Sequence, residues 1–308
     1  MLTMEVKKED SSSFFFNTYY LLVIIINNFF RYFYGFDNYK LVVKKNKNYL
    51  IFLDRLFLIE EVTDTKSVLD IYKLLKDDNY YYNFVLNINN SIFSEFNGRQ
   101  LVLLEIKPCV FGEFYLSHNN HQLEGSIELQ WRTFWIDIYD YVVQVYKLIV
   151  GKYDVIDDSI YYYLGMLQTA ICYLNDFKDY VGMKFLEHKV IDDIDVHNPL
   201  NVIFDIRERD FGEYLKFLFL NRDYSDSDLD LLFFSNKDLY NFNLVFSRLL
   251  YPNFYFKYLL DTNIDSLCDS DLNSINKLIA RSNDYEKFLK TVFSLMDKYQ
   301  KLKKIDWI

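Results

Sequence analysis

The chain has 308 residues, of which 51% are hydrophobic and 19% aromatic, and this composition excludes a disordered protein. Its formal net charge of −10 argues against a nucleic-acid partner, because neutralising phosphates requires clustered lysine and arginine. The three cysteines are too few and too scattered for a disulfide framework or a zinc site, which predicts a reducing, cytoplasmic compartment.

A long apolar segment, Phe14–Phe30, lies near the N-terminus. Asn17, Asn27 and Asn28 interrupt it, and its uninterrupted part is shorter than the ~20 residues that a membrane-spanning helix needs. We therefore predict that residues 1–32 form an N-terminal helical extension, buried on its apolar face, with no membrane span. A membrane anchor is the alternative interpretation.

Residues 33–107 have the pattern of a small β-rich lobe. Tyr39–Val43 and Tyr49–Phe57 are rich in β-branched and aromatic residues, and the polar segment 44–48 between them predicts a hairpin. Thr65 is the predicted N-cap of a helix that ends at Leu75. Its apolar face would contain Val68, Leu69, Tyr72 and Leu75.

Two more strands are predicted in this lobe, Tyr82–Ile88 and Leu101–Ile106. The dipeptide Asn97-Gly98 before the second of them is a strong hairpin signal. Together these elements predict a small antiparallel sheet with one packed helix.

The remainder, residues 108–308, has the pattern of a larger helical lobe joined at Lys107-Pro108. Long helices are predicted from Ser126 onward, and an irregular acidic stretch over residues 184–206 interrupts them. The predicted helices are Ile127–Val150, Ile160–Leu174, Asp210–Phe219, Asp238–Leu249 and Asp284–Lys301. The predicted fold class is α+β, with a small antiparallel β lobe and a mainly helical lobe.

Several strings occur in an order that is similar to a known superfamily. They are Trp131-x-x-x-Trp135-x-x-x-Tyr139, Tyr162–Met166 through Ala170-Ile171, Asn198–Asn201, Arg209–Lys216, Arg248–Pro252 and Ile305–Ile308. With this plan the chain, over roughly residues 33–308, resembles the aminoglycoside phosphotransferase and choline kinase superfamily, in particular the divergent spore-coat kinase-like proteins of low-GC Gram-positive bacteria. The resemblance implies a protein-kinase-like two-lobed fold and a possible place in the spore coat.

Phosphoryl transfer in such folds relies on a strand lysine and a glycine-rich loop that hold the phosphates. The strand Tyr49–Leu53 contains no lysine, and the alternative strand ends with Glu105, whose carboxylate would repel phosphate. Lys44, Lys45 and Lys107 could substitute only by reaching in from outside these strands. No glycine-rich loop precedes either strand, so the phosphate-binding part of the site is missing.

The resemblance also implies a catalytic loop that begins His-Gly-Asp, where this chain has His188-Lys189-Val190. In a shifted register, Asp193 is the candidate catalytic base, five residues before Asn198 and seventeen before Asp210. Asn198, Asp205 and Asp210 are then the candidate metal ligands, in a site that is either functional or vestigial. Asp210 can also be interpreted as the N-cap of the helix that follows, which makes Asp205 the stronger metal candidate.

Structural interpretations compete with these assignments. The acidic segment 192–195 is typical of a solvated loop, and Trp131 and Trp135, four residues apart on one helical face, are typical of core packing. His188 and His197 lack a third ligand at metal-binding spacing.

Two functions from different classes remain. The first is a catalytically degenerate kinase-like protein without a cofactor, a binding or structural module with an unknown protein partner or small-molecule ligand. The alternative is a small-molecule phosphotransferase that uses Mg-ATP through Asn198, Asp205 and Asp210, with Asp193 as base. The missing lysine and the missing phosphate loop favour the first function.

Overall fold

A computed structural model gives the structure of the chain. It describes residues 28–44, 47–78, 80–107, 122–191, 195–221, 224–260 and 267–308. The chain divides into two compact units, residues 1–110 with 197–200, and residues 111–196 with 201–308. Most of the segment predicted as an N-terminal buried helix, residues 14–27, lies outside the described residues. Residues 28–34 are helical, and we call this helix α1.

The first unit contains a six-stranded antiparallel sheet and one longer helix, α2 (Thr65–Leu75). The strands are β1 (Lys40–Lys44), β2 (Lys47–Phe52), β3 (Arg55–Val62), β4 (Asn83–Phe84), β5 (Phe93–Phe96) and β6 (Arg99–Ile106). They lie in the order β1-β2-β3-β6-β4, and β5 pairs with β6. The predicted small antiparallel lobe with one packed helix is thereby confirmed.

One predicted strand, Tyr49–Phe57, is wrong, because the chain reverses within it. β2 ends at Phe52, β3 begins at Arg55, and these two residues are paired across the hairpin. Leu53 and Asp54 form the turn with φ angles of 48° and 58°. A two-residue hairpin turn of this type needs positive φ at both positions, and an apolar leucine at the first of them gives no turn signal.

The hairpin signal Asn97-Gly98 is confirmed. The two residues connect β5 to β6 with φ angles of 51° and 76°. The predicted strand Tyr82–Ile88 shortens to β4, because the Asn87 side chain organises a loop: its amide donates to the Phe93 carbonyl and its oxygen accepts from the Asn89 backbone. Side-chain bonds of this kind compete with strand pairing.

The predicted N-cap of α2 is off by one residue. The side chain of Asp64 accepts a hydrogen bond from the backbone N–H of Ser67 at 3.0 Å, so Asp64, rather than Thr65, caps the helix. The helix buries Val68, Ile71 and Leu75, whereas the predicted Leu69 is exposed.

The second unit combines nine helices of the described chain with a three-stranded antiparallel sheet. The strands, in the order β7-β8-β9, are β7 (Gln122–Glu128), β8 (Val181–His188) and β9 (Val202–Asp205). The helices are α3 (Trp131–Ile149), α4 (Asp154–Asp157), α5 (Ile160–Tyr173), α6 (Glu208–Asn221), α7 (Asp226–Asn236), α8 (Phe242–Leu250), α9 (Asn253–Leu260), α10 (Asp269–Ala280) and α11 (Ser282–Asp297).

Two predictions for this unit are corrected. Ser126 does not begin the helical region, because it pairs with Met183 in the sheet and α3 starts only at Trp131. The stretch 184–206 is not merely irregular, since it contains most of β8 and all of β9. The polar residues at the end of β8 are buried, and a sequence pattern that expects polar residues outside cannot recognise such a strand.

The core of the second unit is built around α8, which is buried on nearly every side and packs against α5 and α6. Trp135 of α3 is fully buried in the same core, and so are Phe211 and Leu215 of α6. This packing holds the start of α6 against the ends of β8 and β9. Within the residues that the structure describes, no helix is long and apolar enough to span a bilayer.

Candidate functional site

The candidate site lies where β8 and β9 end and α6 begins. Asp210 sits in the first turn of α6, one of the most deeply buried polar residues at 1% exposure. Its Oδ1 accepts the backbone N–H of His188 at 2.6 Å, and its Oδ2 lies 2.6 Å from the ring Nδ1 of His188. Because α6 begins at Glu208, Asp210 is not the N-cap, and the carboxylate ties the helix to β8 instead.

Glu187, the residue before His188, is also completely buried. Its Oε2 accepts the backbone N–H of Asp210 at 2.9 Å, and its Oε1 has no hydrogen-bond partner among the described residues. Burial raises the pKa of Glu187 well above its ordinary value, and the neighbouring Asp210 carboxylate raises it further. Both effects favour the protonated form of the Glu187 carboxyl in the folded protein.

Asp205 is the last residue of β9, and both its oxygens are hydrogen-bonded by the protein. Oδ1 accepts the backbone N–H of Ile206 at 2.8 Å. Oδ2 accepts the indole N–H of Trp131 at 2.8 Å and an N–H of the Arg209 guanidinium at 2.9 Å. Asp205 thus links β9, α3 and α6.

An aromatic stack continues from this point into the core. Trp131 stacks on Trp135 at a centroid distance of 5.9 Å, and Trp135 stacks on Tyr251 at 4.8 Å. The guanidinium of Arg248 lies 5.2 Å from the ring centroid of Trp131 and 5.3 Å from that of Tyr251. The core-packing interpretation of the two tryptophans is therefore confirmed. The aromatic rings also stabilise the buried guanidinium of Arg248 through cation–π contacts.

Arg248 belongs to a buried charged cluster between α6, α8 and α9. Its Nε donates to Oε1 of Glu213 at 2.8 Å, and the Nζ of Lys216 donates to the same oxygen at 3.1 Å. Asn253 accepts from Lys216 and donates to Oε2 of Glu213, each at 2.8 Å. The cluster therefore places two cations on one carboxylate.

The pKa values in this cluster move in opposite directions. Burial alone would raise the pKa of Glu213, but Lys216 and Arg248 outweigh it and lower the value to about 2. Burial lowers the pKa of Lys216 to about 7, against the opposing attraction of Glu213. At neutral pH the protein therefore holds an ionised Glu213 and a lysine close to its titration midpoint.

The remaining predicted site residues are Asn198 and Asp193. Asn198 belongs to the first unit, where its side-chain oxygen accepts the backbone N–H of Leu200 at 2.9 Å. The neighbouring His197 is also part of that unit, and its carbonyl accepts the backbone N–H of Tyr82. Asp193 lies outside the described residues. Among the four predicted residues, the described structure brings Asp205 and Asp210 to the start of α6, where Asp210 bonds to His188 and Arg209 bonds to both Asp205 and the His188 carbonyl.

We tested whether these carboxylates fit the magnesium ion that a kinase-like fold implies. A carboxylate has about four lone-pair positions, and in Asp205 three of them already accept protein hydrogen bonds. Both oxygens of Asp210 are directed at His188. Magnesium requires several oxygen ligands in near-octahedral geometry. In this arrangement Asp205 and Asp210 do not fit such an ion, and the described residues contain no cluster of three or more metal-binding side chains.

Sequence reasoning assigned no role to Glu187 or to Arg209, Glu213 and Lys216 of α6. Arg209, Glu213 and Lys216 are spaced i, i+4 and i+7, so they lie on one face of the helix, although most of their neighbours in the sequence are apolar. That spacing could have identified the three residues as a group, although a charged face of a helix usually indicates that the face is exposed to solvent.

Comparisons with known proteins agree with this architecture. The chain is similar to an aminoglycoside phosphotransferase from Alicyclobacillus acidocaldarius, with a TM-score of 0.50 and 10% identity over 84% of this chain and 92% of that one. It is similar to the AMP-bound spectinomycin phosphotransferase APH(9)-Ia, with a TM-score of 0.55 and 10% identity over 87% of this chain and 97% of that one. At such identity the likeness shows the fold alone.

No curated protein matches the chain at the level of sequence. A family model described as "Spore coat putative kinase YutH" matches residues 30–292, well over half of the chain. This match confirms the resemblance drawn from the strings, including its spore-coat branch. The chain therefore belongs to the YutH family of kinase-like spore coat proteins.

Proposed function

We propose that the chain is a catalytically degenerate member of its family that acts as a binding or structural module and does not transfer phosphate. One observation carries this proposal: β3, the third strand of the small sheet, contains no lysine. A protein kinase has its phosphate-binding lysine on the third strand. Here that strand has Glu60 and Glu61 instead.

The surroundings of β3 support the same proposal. Glu60 forms an ion pair with Lys47 of β2 at 3.4 Å, and Glu61 forms one with Arg99 of β6 at 2.9 Å. These pairs neutralise the two carboxylates, but a neutralised glutamate supplies none of the positive charge that phosphates require.

The connection between β1 and β2 is also unsuited to a nucleotide. In protein kinases a glycine-rich loop covers the phosphates with its backbone. In this chain only Lys45 and Asn46 separate the two strands, and neither is glycine. The sequence between these strands therefore lacks the glycines of such a loop.

We propose that the protein works in the cytoplasm or in the spore coat, by binding a protein partner or a small molecule. The family description supports the spore-coat alternative. Asp193, Asn198, Asp205 and Asp210 remain the candidate residues of a vestigial site, and no cofactor is assigned to them.

The test is phosphate release from Mg-ATP by the purified protein. We expect a rate equal to that of buffer. The comparison variant is Asp193→Asn, which removes the candidate base, and its matched control is Asp192→Asn in the same acidic segment. Asp205 and Asp210 are left intact, because their buried hydrogen bonds make loss of folding a trivial cause of inactivity.

Release by the parent and by Asp192→Asn that disappears in Asp193→Asn would overturn the proposal in favour of a Mg-ATP-dependent phosphotransferase. Release above buffer that is equal in all three proteins would also contradict the proposal, unless further purification separates the activity from the protein and so identifies a contaminating enzyme.

A further inference from the structure

Arg209 occupies a distinctive position at the start of α6. Its NH1 donates to Oδ2 of Asp205 at 2.9 Å, and its Nε donates to the main-chain carbonyl of His188 at 2.7 Å. The second terminal nitrogen reaches the carbonyl of Lys189 at 3.4 Å. One guanidinium therefore connects the end of β8 to the end of β9.

This contact is largely protected from solvent. The side chains of Arg209 and Asp205 are 13% and 11% exposed, respectively. An ionised carboxylate in such surroundings requires a compensating charge, and a guanidinium is always protonated. Trp131 and Ile206 add neutral N–H donors to the same carboxylate but no charge. The cation in direct contact with Asp205 is therefore Arg209, and Arg248 adds a longer-range attraction to the same carboxylate.

We infer that the Arg209 guanidinium is a built-in replacement for the divalent cation at this position. In a kinase-like site a metal ion neutralises the aspartate after the strand and fixes the adjacent loop. Here Arg209 neutralises Asp205 and fixes the carbonyls of His188 and Lys189. The site is consequently complete without magnesium, and its folding does not depend on a metal ion.

This inference goes beyond the proposed function, because it concerns how the site is held together and not whether phosphate is transferred. A protein that released phosphate would contradict the proposed function alone. A protein whose stability required magnesium at Asp205 would contradict this inference alone.

The first experiment measures Tm by thermal unfolding in millimolar MgCl2, in NaCl of equal ionic strength and in EDTA. We expect the same Tm for the parent in all three solutions. A rise in magnesium that disappears in Asp205→Asn would overturn the inference, because it would show that the carboxylate accepts a metal ion. This arm uses the intact chain and does not depend on the folding of an arginine variant.

The second experiment compares Arg209→Met with Arg207→Met. Arg207 lies two residues earlier, with its guanidinium 4.4 Å from the ring centroid of Phe185, so the control also removes one packed cation. We expect Arg209→Met to lower Tm by roughly 5–10 °C more than the control, because removal of one partner of a buried ion pair is strongly destabilising. In an Asp205→Asn background the extra loss should be smaller, and the part that remains should come from the bonds of Arg209 to the carbonyls of His188 and Lys189.

An equal loss of Tm for the two arginine variants would overturn the inference. So would an undiminished loss for Arg209→Met in the Asp205→Asn background, since the arginine would then act through another group. If Arg209→Met also gains a magnesium-dependent rise in Tm that the parent lacks, the carboxylate has exchanged one cation for the other, which supports the inference directly.

Discussion

Replacing Lys216 by methionine is expected to change how the stability of the protein depends on pH. Burial lowers the pKa of this lysine to about 7 in the folded protein, whereas in the unfolded chain it keeps the ordinary value of ~10.4. Between these two values the unfolded chain binds a proton that the folded protein does not bind. Stability rises with pH wherever the unfolded state binds more protons, so Lys216 makes the free energy of unfolding increase across this window.

The structure sets the size of the effect. Lys216 is 2% exposed, and its ammonium shares the single carboxylate of Glu213 with Arg248. The fall in pKa from 10.5 to about 7, at ~1.4 kcal/mol for each pH unit, corresponds to roughly 5 kcal/mol over the whole window. Methionine has no proton to lose and fills a similar apolar volume. The free energy of unfolding of Lys216→Met should therefore lack this increase.

The assay is urea unfolding of the parent and of Lys216→Met at several pH values from about 7 to about 9.5, below the ordinary tyrosine pKa of ~10. Subtracting the two curves removes groups that titrate in both proteins, including Glu187. Lys290→Met, on the exposed side of α11, is the control and should retain the slope of the parent. Parallel curves for the parent and Lys216→Met would refute the lowered lysine pKa.

Two further substitutions test the packing and charge of the same region. Gly212→Ala places a Cβ 2.7 Å from both Cβ and Cγ of Arg248, atoms close to the α8 backbone, so the free energy of unfolding measured by chemical denaturation should fall by about 1–3 kcal/mol. The control Gly165→Ala in α5 has open space around the new Cβ and should not lower this free energy. Equal effects of the two substitutions would contradict this view of the α6–α8 contact. Glu187→Gln should leave the free energy of unfolding nearly unchanged at about pH 4 and raise it at pH 7, because the elevated pKa of Glu187 makes the stability of the parent fall as pH rises above the ordinary carboxyl value, whereas glutamine has no proton to lose. A large loss at pH 7 would contradict the raised pKa of Glu187.

Much of the fold was readable from local sequence. The Asn97-Gly98 turn forms because both residues tolerate positive φ. The helix Thr65–Leu75 ends where predicted and begins within one residue of the predicted start, because apolar spacing and a polar residue before the helix are local properties. The absence of a lysine from β3 is likewise a property of the sequence. These features determined the β-rich lobe and the argument against phosphate transfer.

The candidate site was less predictable, because its partners are far apart in the sequence. Asp210 was interpretable from its neighbours as a helix cap, yet it bonds to His188, 22 positions away. The Trp131–Asp205 bond spans 74 positions. No local pattern specifies which distant donor a carboxylate will meet.

By itself, the sequence determined the superfamily, the order of a β-rich part before a helical part and the absence of a lysine from β3, since each depends on which residues are present and on their local spacing. Only the tertiary structure decided the state of the charges. Glu187, Glu213 and Lys216 have polar side chains that composition would place in solvent, but the packing of α6 against β8 and α8 buries all three. Burial in turn raises the pKa of Glu187 and lowers that of Lys216, because desolvation disfavours a charge unless a partner compensates it.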